Sequence, residues 1–256
     1  METSAYTTHA TLEENHFWFL ARKQIIKKVL SKFIDLNNSR ELKVLEIGAG
    51  TGGNLIYFSK YFDTIIGVEM EELARDLAKQ KILSQNLDKK LSIIYGKLPN
   101  EINFSHNSFD VILLLDVLEH VEDDKASLQT IFNLLKPNGI AVISVPAFMF
   151  MWSEHDVLNH HFRRYTSQAL KKVIADSGLQ IKLLNYFFIS LFFPMLAVRS
   201  LQKISIFKKQ KITVVKPVNP IINSLVKNWL ALEKFIVSRI KIPFGTSLVA
   251  VLQAKK

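Results

Sequence analysis

The chain has 256 residues, of which 48% are hydrophobic and 22% are charged. This composition excludes wholesale disorder, and the length is sufficient for a sizeable hydrophobic core. Cysteine is absent, which excludes disulfides, thiolate metal sites and a cysteine nucleophile. The N-terminal residues show no basic segment followed by an apolar one, so we expect no secretory signal and a cytoplasmic protein.

Charge is distributed unevenly along the chain. Residues 1–160 contain 16 Lys and Arg against 21 Asp and Glu, a net charge of −5. Residues 161–256 contain 17 Lys and Arg against only Asp176 and Glu233, a net charge of +15. Such polarity indicates that the C-terminal third faces nucleic acid, an acidic membrane surface or a phosphorylated substrate. The alternative is a lysine-rich surface that only keeps the protein soluble.

Helical and strand-like patterns alternate along most of the chain. A first helix is predicted over residues 12–36. Short apolar runs predict buried strands at residues 43–47, 64–69, 91–95, 109–115 and 140–145. Helical segments are predicted at residues 54–61, 71–86, 123–135 and 166–177. Because the strands are apolar on both faces, this order predicts a parallel sheet covered by helices.

The pattern changes after Gly178. Residues 179–186 predict a sixth strand, and Tyr186–Val198 is a run of thirteen uncharged residues that Pro194 interrupts. The run is too short to span a bilayer, which needs about 20 apolar residues. A basic stretch from Lys203 to Lys216 and an amphipathic segment at 221–240 follow, and residues 247–252 predict a last strand. We therefore expect a single domain over residues 1–256, with a helical insertion at residues 187–243.

A glycine-rich turn closes the strand at residues 43–47. Gly48, Gly50 and Gly53 fit the G-x-G-x-x-G fingerprint, and Glu69 follows about 20 residues later. An NAD(P)-dependent oxidoreductase is therefore one interpretation of this turn. Glu46 argues against that interpretation, because a carboxylate two residues before the first glycine would repel a pyrophosphate and attract an ammonium group.

With Glu46 included, the turn resembles the first motif of the class I S-adenosylmethionine-dependent methyltransferases, an acidic residue followed by G-x-G-x-G. Three further segments share the resemblance, and the first is similar to the small-molecule members often called type 11. They are Asn107–Ile112 with Asp116–Val121, then Leu135–Ile140, and then Arg163–Tyr165 with Gly178 and Leu179. The resemblance covers roughly residues 40–186 and the last strand.

This resemblance implies a doubly wound, Rossmann-like α/β fold with a seven-stranded sheet whose last strand is antiparallel. It also implies that S-adenosyl-L-methionine is the cofactor, with Glu46 and the glycine turn on its amino-acid part and Glu69 on its ribose. The cofactor-binding residues implied are Glu46, Gly48, Ala49, Gly50, Gly52, Glu69, Met70, Leu98, Asp116 and Val117.

The sequence departs from the family pattern at one position. Lys97 stands where many members have an aspartate that reaches the adenine amino group. Leu98 would then pack against the adenine ring, and we expect weaker cofactor binding. The aromatic segment His16–Arg22 lies in the predicted N-terminal helical region, residues 1–36, which similar methyltransferases use as a lid over the cofactor.

Candidate acceptor-site residues follow the fourth and fifth strands, at the edge where open α/β sheets bind ligands. His120 follows the fourth strand, and residues 152–165 form the densest polar cluster of the chain. His155 and Asp156 are candidate bases together with His120, and Arg163 and Arg164 are candidate anion contacts or salt-bridge partners. The histidine and acid spacing fits no standard metal motif, so no metal is predicted.

These features predict a methyltransferase for a small lipophilic or lipid-linked acceptor, peripheral on the inner face of a membrane. A bulky apolar set beside basic residues is typical of an interfacial segment. The apolar members are Phe187, Phe188, Leu191, Phe192, Phe193, Met195 and Leu196. The basic members are Arg199, Lys203, Lys208, Lys209 and Lys211.

A nucleic-acid methyltransferase is the less favoured alternative, because the aromatics lie apart from the lysines. The apolar run could also fold back as core or form a dimer contact, and a non-catalytic binding module is a further alternative.

Overall fold

A computed structural model describes residues 3–203 and 218–255 and contains a seven-stranded sheet of order β3-β2-β1-β4-β5-β7-β6. The strands are β1 (Lys43–Ile47), β2 (Thr64–Glu69), β3 (Leu91–Tyr95), β4 (Phe109–Leu115), β5 (Leu135–Pro146), β6 (Leu179–Phe187) and β7 (Ser247–Ala254). Strands β1 to β5 pair in parallel, whereas β7 is antiparallel to both β5 and β6. The predicted sheet with an antiparallel last strand is thereby confirmed. Its order differs from the 3-2-1-4-5-6 order of dinucleotide-binding sheets, because β7 is inserted between β5 and β6.

The helices that accompany the sheet are α1 (Thr3–Asn15), α2 (Phe17–Leu30), α3 (Gly53–Phe58), α4 (Glu72–Ser84), α5 (Asp124–Leu134), α6 (Glu154–Leu158), α7 (Ser167–Ala175), α8 (Ile189–Lys203) and α9 (Pro220–Val237). Short 3₁₀ turns follow β4 at Leu118–His120 and β5 at Met149–Met151. The central strand β4 has no exposed residue, as expected for a parallel strand covered on both faces. One continuous core joins α2, the sheet and α5, and it extends to Leu230 and Val237 of α9.

The N-terminal region differs from the single helix predicted over residues 12–36. The helix is interrupted at His16, whose backbone is extended and whose ring nitrogen accepts a hydrogen bond from the N–H of Trp18. His16 therefore caps α2 and ends the helical run of α1. Asn223 of α9 stabilises this break, because its side chain accepts the N–H of Phe17 at 2.7 Å and donates to the carbonyl of Asn15 at 2.7 Å.

The insertion between β6 and β7 is helical, as predicted. Two details of that prediction change: the interruption at Pro194 and the exposure of the apolar residues. Helix α8 runs through Pro194 without interruption. Pro194 is the sixth residue of α8, so its missing N–H removes only the bond to the Ser190 carbonyl. Separately, the carboxylate of Glu233 caps the start of α8, where it accepts the N–H groups of Ile189 at 2.9 Å and Ser190 at 3.0 Å.

The second detail concerns the predicted apolar anchors. Phe187, Phe188 and Phe192 are buried, because the first closes β6 and the other two pack against the body of the protein. An exposed apolar surface lies instead mainly on α9, whose opposite face packs against α2. The basic stretch from Lys203 to Lys216 lies almost entirely outside the described residues. No helix within the described ranges combines the length and apolarity needed to cross a bilayer.

Candidate active site

Three loops meet at the carboxyl edge of the sheet. They follow β1, β4 and β5, which are neighbours in the sheet. Their contents are the glycine turn at residues 48–53, the turn at residues 116–120 and the polar segment at residues 147–165. Open α/β sheets bind ligands outside this edge, and nearly all the candidate residues predicted from the sequence lie in or beside these loops.

The glycine turn is held close to the loop after β4. Gly48, Gly50 and Gly52 have φ angles of +72°, +52° and +84°, which favour glycine over other residues. A Cβ on Gly48 would lie 2.3 Å from the Val117 side chain, whereas a Cβ on Gly50 would meet nothing within 4 Å. The turn is therefore packed tightly on one side and open on the other. Ala49 fixes its shape by donating its N–H to the Val68 carbonyl at 3.0 Å.

Glu46 lies near the end of β1, two residues before Gly48, and is only 1% exposed. One carboxylate oxygen accepts a hydrogen bond from Asn54 Nδ2 at 2.7 Å. The other oxygen, and Asn54 Oδ1, are buried and have no hydrogen-bond partner among the described residues. Burial raises the pKa of Glu46 to about 8, although Asn54 and Arg22 oppose the shift. Two adjacent acceptor atoms are thus available for a cationic or donor group of a ligand.

Glu69 closes the second strand beside the same turn. Its two oxygens accept the N–H groups of Gly50 at 2.9 Å and Glu71 at 3.0 Å, which leaves further lone pairs for ligand hydroxyls. Met70 is 47% exposed next to it, whereas Leu98 is buried in the core and Lys97 is exposed. The predicted ribose and adenine contacts of these residues stay predictions.

Arg22 of α2 is a residue that the sequence reasoning did not select. Its guanidinium forms an ion pair with Asp116, which has a φ of +58° at the end of β4. Its carbon Cζ lies 4.6 Å from the ring centroid of Trp18, and its buried Nε has no partner among the described residues. The arginine inside the aromatic segment His16–Arg22 was the available signal, but the pairing with Asp116 depends on the tertiary fold.

Helix α1 contacts the last residues of the glycine turn. The buried carboxylate of Glu13 accepts a hydrogen bond from Thr51 Oγ1 at 2.7 Å. A Cβ on Gly53 would lie 2.4 Å from that carboxylate, so Gly53 allows the close approach of α1. Lys23 of α2 donates to the Glu13 carbonyl at 3.0 Å, and burial lowers its pKa to about 8. These contacts hold α1 and α2 against the glycine turn. That the two helices cover a bound cofactor as a lid stays a prediction.

The loops after β4 and β5 bring a second polar group together. The rings of His120 and His161 lie 4.4 Å apart at nearly perpendicular planes. Burial lowers the pKa of His120 to about 4 and also lowers that of His155. Both imidazoles are therefore neutral at physiological pH and able to accept a proton. Asn159 fixes the His155 ring, with its Nδ2 3.2 Å from Nε2.

Asp156 is held differently from the other candidate bases. It is fully buried and accepts hydrogen bonds from His161, from Arg164 Nε at 2.7 Å and from the Ser153 N–H at 2.8 Å. Although burial alone would raise its pKa, the bonds from His161 and Arg164 hold that pKa well below its usual range. This arrangement argues against Asp156 as a base and favours a positioning role. Arg164 is committed to Asp156, and Arg163 is committed to Asp124 at 2.8 Å.

Glu119 completes this second polar group. It is 1% exposed, and burial together with the nearby Asp116 raises its pKa well above the usual range. One of its oxygens is buried without a partner among the described residues. Neither Glu119 nor His161 was singled out from the sequence, because both belong to segments whose spacing alone gives no sign that the two meet.

An aromatic cluster forms around Phe148, at the start of the loop after β5. Phe148 stacks on Tyr186 with ring centroids 5.0 Å apart and an interplanar angle of 1°, and on Phe150 at 5.0 Å and 26°. Phe192 contacts both phenylalanines edge-on, and Phe244 packs against Phe192 at 5.0 Å. Phe150 remains 48% exposed, so part of this cluster faces solvent beside the loop after β5.

Comparison with known families identifies the class to which this fold and site belong. A family described as "Methyltransferase domain" matches residues 18–184, which is about two thirds of the chain. The chain belongs to this family, and the resemblance to class I S-adenosylmethionine-dependent methyltransferases is confirmed.

Individual relatives are distant and match in part. Demethylmenaquinone methyltransferase of Lactobacillus johnsonii is 30% identical over 121 residues, 46% of this chain and 46% of that protein. Ubiquinone biosynthesis O-methyltransferase of Rickettsia canadensis is 23% identical over 62% of this chain and 70% of that protein. Phosphoethanolamine N-methyltransferase 1 of Arabidopsis thaliana is 29% identical over 40% of this chain and 20% of that protein. For the first relatives, the match spans less than half of their length.

Solved structures share the fold at low identity. Phosphoethanolamine N-methyltransferase 2 of Haemonchus contortus, in complex with S-adenosyl-L-methionine, has a TM-score of 0.58 at 16% identity, over 89% of this chain and 51% of that chain. An S-adenosylmethionine-dependent methyltransferase of Mesorhizobium loti has a TM-score of 0.56 at 15% identity, over 86% and 95% of the two chains. These similarities establish the architecture and leave the acceptor open.

Proposed function

We propose that this protein transfers the methyl group of S-adenosyl-L-methionine to a small lipophilic or lipid-linked acceptor at an anionic membrane surface. The observation that carries the cofactor assignment is the buried oxygen of Glu46, just before the glycine turn, which has no partner among the described residues. S-adenosylmethionine presents an ammonium and a carboxylate on its amino-acid part. The free Glu46 oxygen can accept a hydrogen bond from the ammonium, and Arg22 Nε, which has no partner among the described residues, can donate one to the carboxylate.

The remaining cofactor contacts follow from the same edge of the sheet. Glu69 would bind the ribose hydroxyls, and the open face at Met70 would take the adenine ring. Bound there, the cofactor supplies a methyl group on a positively charged sulfur. The protein mainly aligns the acceptor with that carbon, since proximity and orientation can lower such a barrier by about 7–11 kcal/mol. Helices α1 and α2 would cover the cofactor through Glu13, Arg22 and Trp18.

Calorimetry with S-adenosylmethionine and with NAD tests the cofactor assignment directly. We expect binding of the first and none of the second, because a pyrophosphate would lie against the buried Glu46. Binding of NAD alone would overturn the assignment and restore the oxidoreductase interpretation of the glycine fingerprint.

The acceptor side favours a lipophilic molecule with a proton to lose. The aromatic cluster around Phe148 offers an apolar wall, and the loops after β5 and β4 supply the neutral imidazoles of His155 and His120. A base is needed only when the acceptor atom is protonated at working pH, and we propose His155 in that role. Two of the relatives are named for menaquinone and ubiquinone pathways, which is consistent with a lipophilic acceptor. Mass spectrometry of lipid extracts from cells with and without the protein would identify the methylated product.

Helix α9 provides the proposed membrane-docking surface. Its exposed side chains recur at helical spacing and form an apolar stripe of Ile221, Ile222, Leu225, Trp229, Leu232 and Ile236. The only acidic residue of α9 is Glu233, which is buried against α8. Exposed Arg239 and Lys241 follow the helix, in the third of the chain that carries a net charge of +15. An apolar stripe with basic neighbours fits the interface of an acidic bilayer.

Flotation with vesicles tests this docking. We expect recovery of the protein with vesicles that contain phosphatidylserine or phosphatidylglycerol, and much lower recovery with neutral phosphatidylcholine vesicles. Equal recovery with both, or none with either, would remove the membrane proposal. In the second case, binding of RNA by the same preparation would favour the nucleic-acid alternative.

A further inference from the structure

Glu119, His120 and His161 form a cluster that the proposed methyl transfer does not require. Each offers one ligand atom, and these atoms all lie within 4.8 Å of one another. Tetrahedral ligands of a first-row ion lie roughly 3 to 3.5 Å apart, given metal–ligand bonds of about 2.0–2.2 Å. Small side-chain rotations would therefore bring the three atoms to coordination distance.

The cluster is a built site and not a chance surface group. One Glu119 oxygen is buried and has no partner among the residues that the structure describes, although an unsatisfied carboxylate oxygen is costly in a protein interior. The Glu119 carbonyl accepts the N–H of Phe162 at 2.8 Å, and this bond joins the loop after β4 to the loop that carries His161. The backbone therefore holds the two ligand-bearing segments together without any ion.

A hydrogen bond to one nitrogen orients each imidazole, as is usual for metal-bound histidines. His161 Nδ1 lies 2.9 Å from the Asp156 carboxylate, which is itself fixed by Arg164. The His120 ring is hydrogen-bonded to the backbone of Asn159. In each ring one nitrogen is thereby occupied, and the other nitrogen is the one that would coordinate a cation. The buried Asp156, whose oxygens already accept five hydrogen bonds, thereby has the role of orienting His161.

We propose that Glu119, His120 and His161 bind a divalent first-row transition-metal ion, such as Zn²⁺, Mn²⁺ or Fe²⁺. Two imidazoles and one carboxylate are a donor set that such ions accept, whereas Mg²⁺ and Ca²⁺ prefer oxygen ligands alone. Three protein ligands leave at least one position open, as in catalytic sites. The site lies beside His155, whose ring centroid is 6.4 Å from that of His161.

The open position suits an acceptor that carries an oxygen ligand, such as a hydroxyl or a carboxylate group. This second step rests on the proposed methyltransferase function, whereas the binding of the ion does not. The expectation from the sequence that no metal is bound relied on spacing along the chain. The ligands come instead from two loops that are joined only in the folded protein.

Metal binding can be measured on the full-length protein without any acceptor. After removal of metals with a chelator, we expect titration with Co²⁺ to give visible absorption bands that saturate at one equivalent. Zn²⁺ should displace the Co²⁺ and abolish these bands. The absence of a stoichiometric Co²⁺ or Zn²⁺ complex in the wild-type protein would overturn the proposal, while unchanged binding of S-adenosylmethionine would leave the proposed function intact.

Variants locate the ion. Glu119→Gln and His161→Asn should each weaken Zn²⁺ binding at least tenfold, and Asp156→Asn should weaken it about 10- to 100-fold without removing a ligand. His160→Asn is the matched control, because His160 is exposed next to His161 and should bind Zn²⁺ as the wild type does. Calorimetry with S-adenosylmethionine checks that each variant is folded. Wild-type affinity in the folded Glu119→Gln and His161→Asn proteins would show that the ion binds elsewhere and would overturn the assignment.

Discussion

Glu46 is a carboxylate enclosed by apolar strand residues, with one oxygen bonded to Asn54 and the other bonded to nothing among the described residues. A ligand ammonium would satisfy the second oxygen with a charge-assisted hydrogen bond. We predict that Glu46→Gln weakens the binding of S-adenosylmethionine by about 1–3 kcal/mol, and that Glu69→Ala has an effect of similar size. Glu41→Gln, at an exposed position just before the same strand, should leave the affinity unchanged in calorimetry. Wild-type affinity in both site variants would mean that the motif does not hold the cofactor.

The raised pKa of Glu46 has a consequence for stability. Burial moves that pKa from an ordinary value of 4.5 to about 8 in the folded protein, so the folded state binds the proton more tightly than the unfolded state does. The free energy of unfolding should therefore decrease as pH rises from about 5 to 8, and the contribution of Glu46 should level off above 8. Urea denaturation of the wild type and of Glu46→Gln measures this contribution as their difference. A difference that does not change with pH would contradict the raised pKa.

His155 should matter to turnover more than to cofactor affinity. Its ring is neutral because burial lowers its pKa, and it lies in the loop after β5, whereas Glu46 and Glu69 belong to β1 and β2. We predict that His155→Ala lowers the turnover number on the acceptor by about 10²- to 10⁴-fold, the usual contribution of a general base, and leaves the dissociation constant of S-adenosylmethionine within about twofold. The exposed His106 supplies the control His106→Ala. Full turnover by His155→Ala would remove it as the base.

Residues of the site differ in how far the sequence reveals them. Glu46 and the glycines are close in sequence, so their spacing alone predicts a ligand turn. Arg22 pairs with Asp116, 94 residues further along the chain. Glu119 and His161 lie in different loops, which the bond between the Glu119 carbonyl and the Phe162 N–H joins. No periodicity encodes such pairings. Asp156 was chosen as a base for its residue type, whereas its five hydrogen bonds become visible only in the folded loop.

Elements of the sheet were predictable because each central strand is apolar on both faces and bounded by polar turns. The helix boundary at His16 was not, because the apolar positions of α1 and α2 are compatible with one helical pattern across the break. The break depends on contacts with Asn223, which lies about 200 residues later in the chain. Likewise, the apolar run after β6 could not be divided into buried and exposed members until the packing of α8 and α9 was known.

Asn223 gives an element-scale prediction. Its side chain bonds to the backbone on both sides of the α1–α2 break, so its removal leaves the Phe17 N–H and the Asn15 carbonyl without these partners. We predict that Asn223→Ala lowers the free energy of unfolding by about 1–3 kcal/mol in urea denaturation. Asn228→Ala, on the exposed side of the same helix, controls for the change in helix propensity and should have little effect. Equal stability of the two variants would show that Asn223 does not hold the break.

Across the whole molecule, acidic and basic charges are separated. The cofactor edge is built mostly from the acidic first 160 residues, while α9 and its basic neighbours belong to the C-terminal third. Helix α9 packs one face on α2, which carries Arg22, and exposes its apolar stripe on the other face. Docking of α9 on a bilayer would therefore bring α2, which we propose covers the cofactor, close to the lipid from which the proposed acceptor would enter.

Salt and a paired substitution separate the apolar and electrostatic parts of this docking. Raising the salt concentration from 0.1 to 1 M shortens the Debye length from about 10 to 3 Å. Recovery with acidic vesicles should therefore fall without disappearing, because the apolar contact is not screened.

Leu225→Glu should abolish recovery at both salt concentrations. Ser224→Glu adds the same charge at an exposed neighbouring position outside the apolar stripe and should reduce recovery much less. Emission of Trp229, which is 64% exposed, should shift to shorter wavelength on binding, with Trp229→Phe as the control. Equal losses in the Leu225 and Ser224 variants would show that charge alone attracts the protein and that the apolar stripe has another partner.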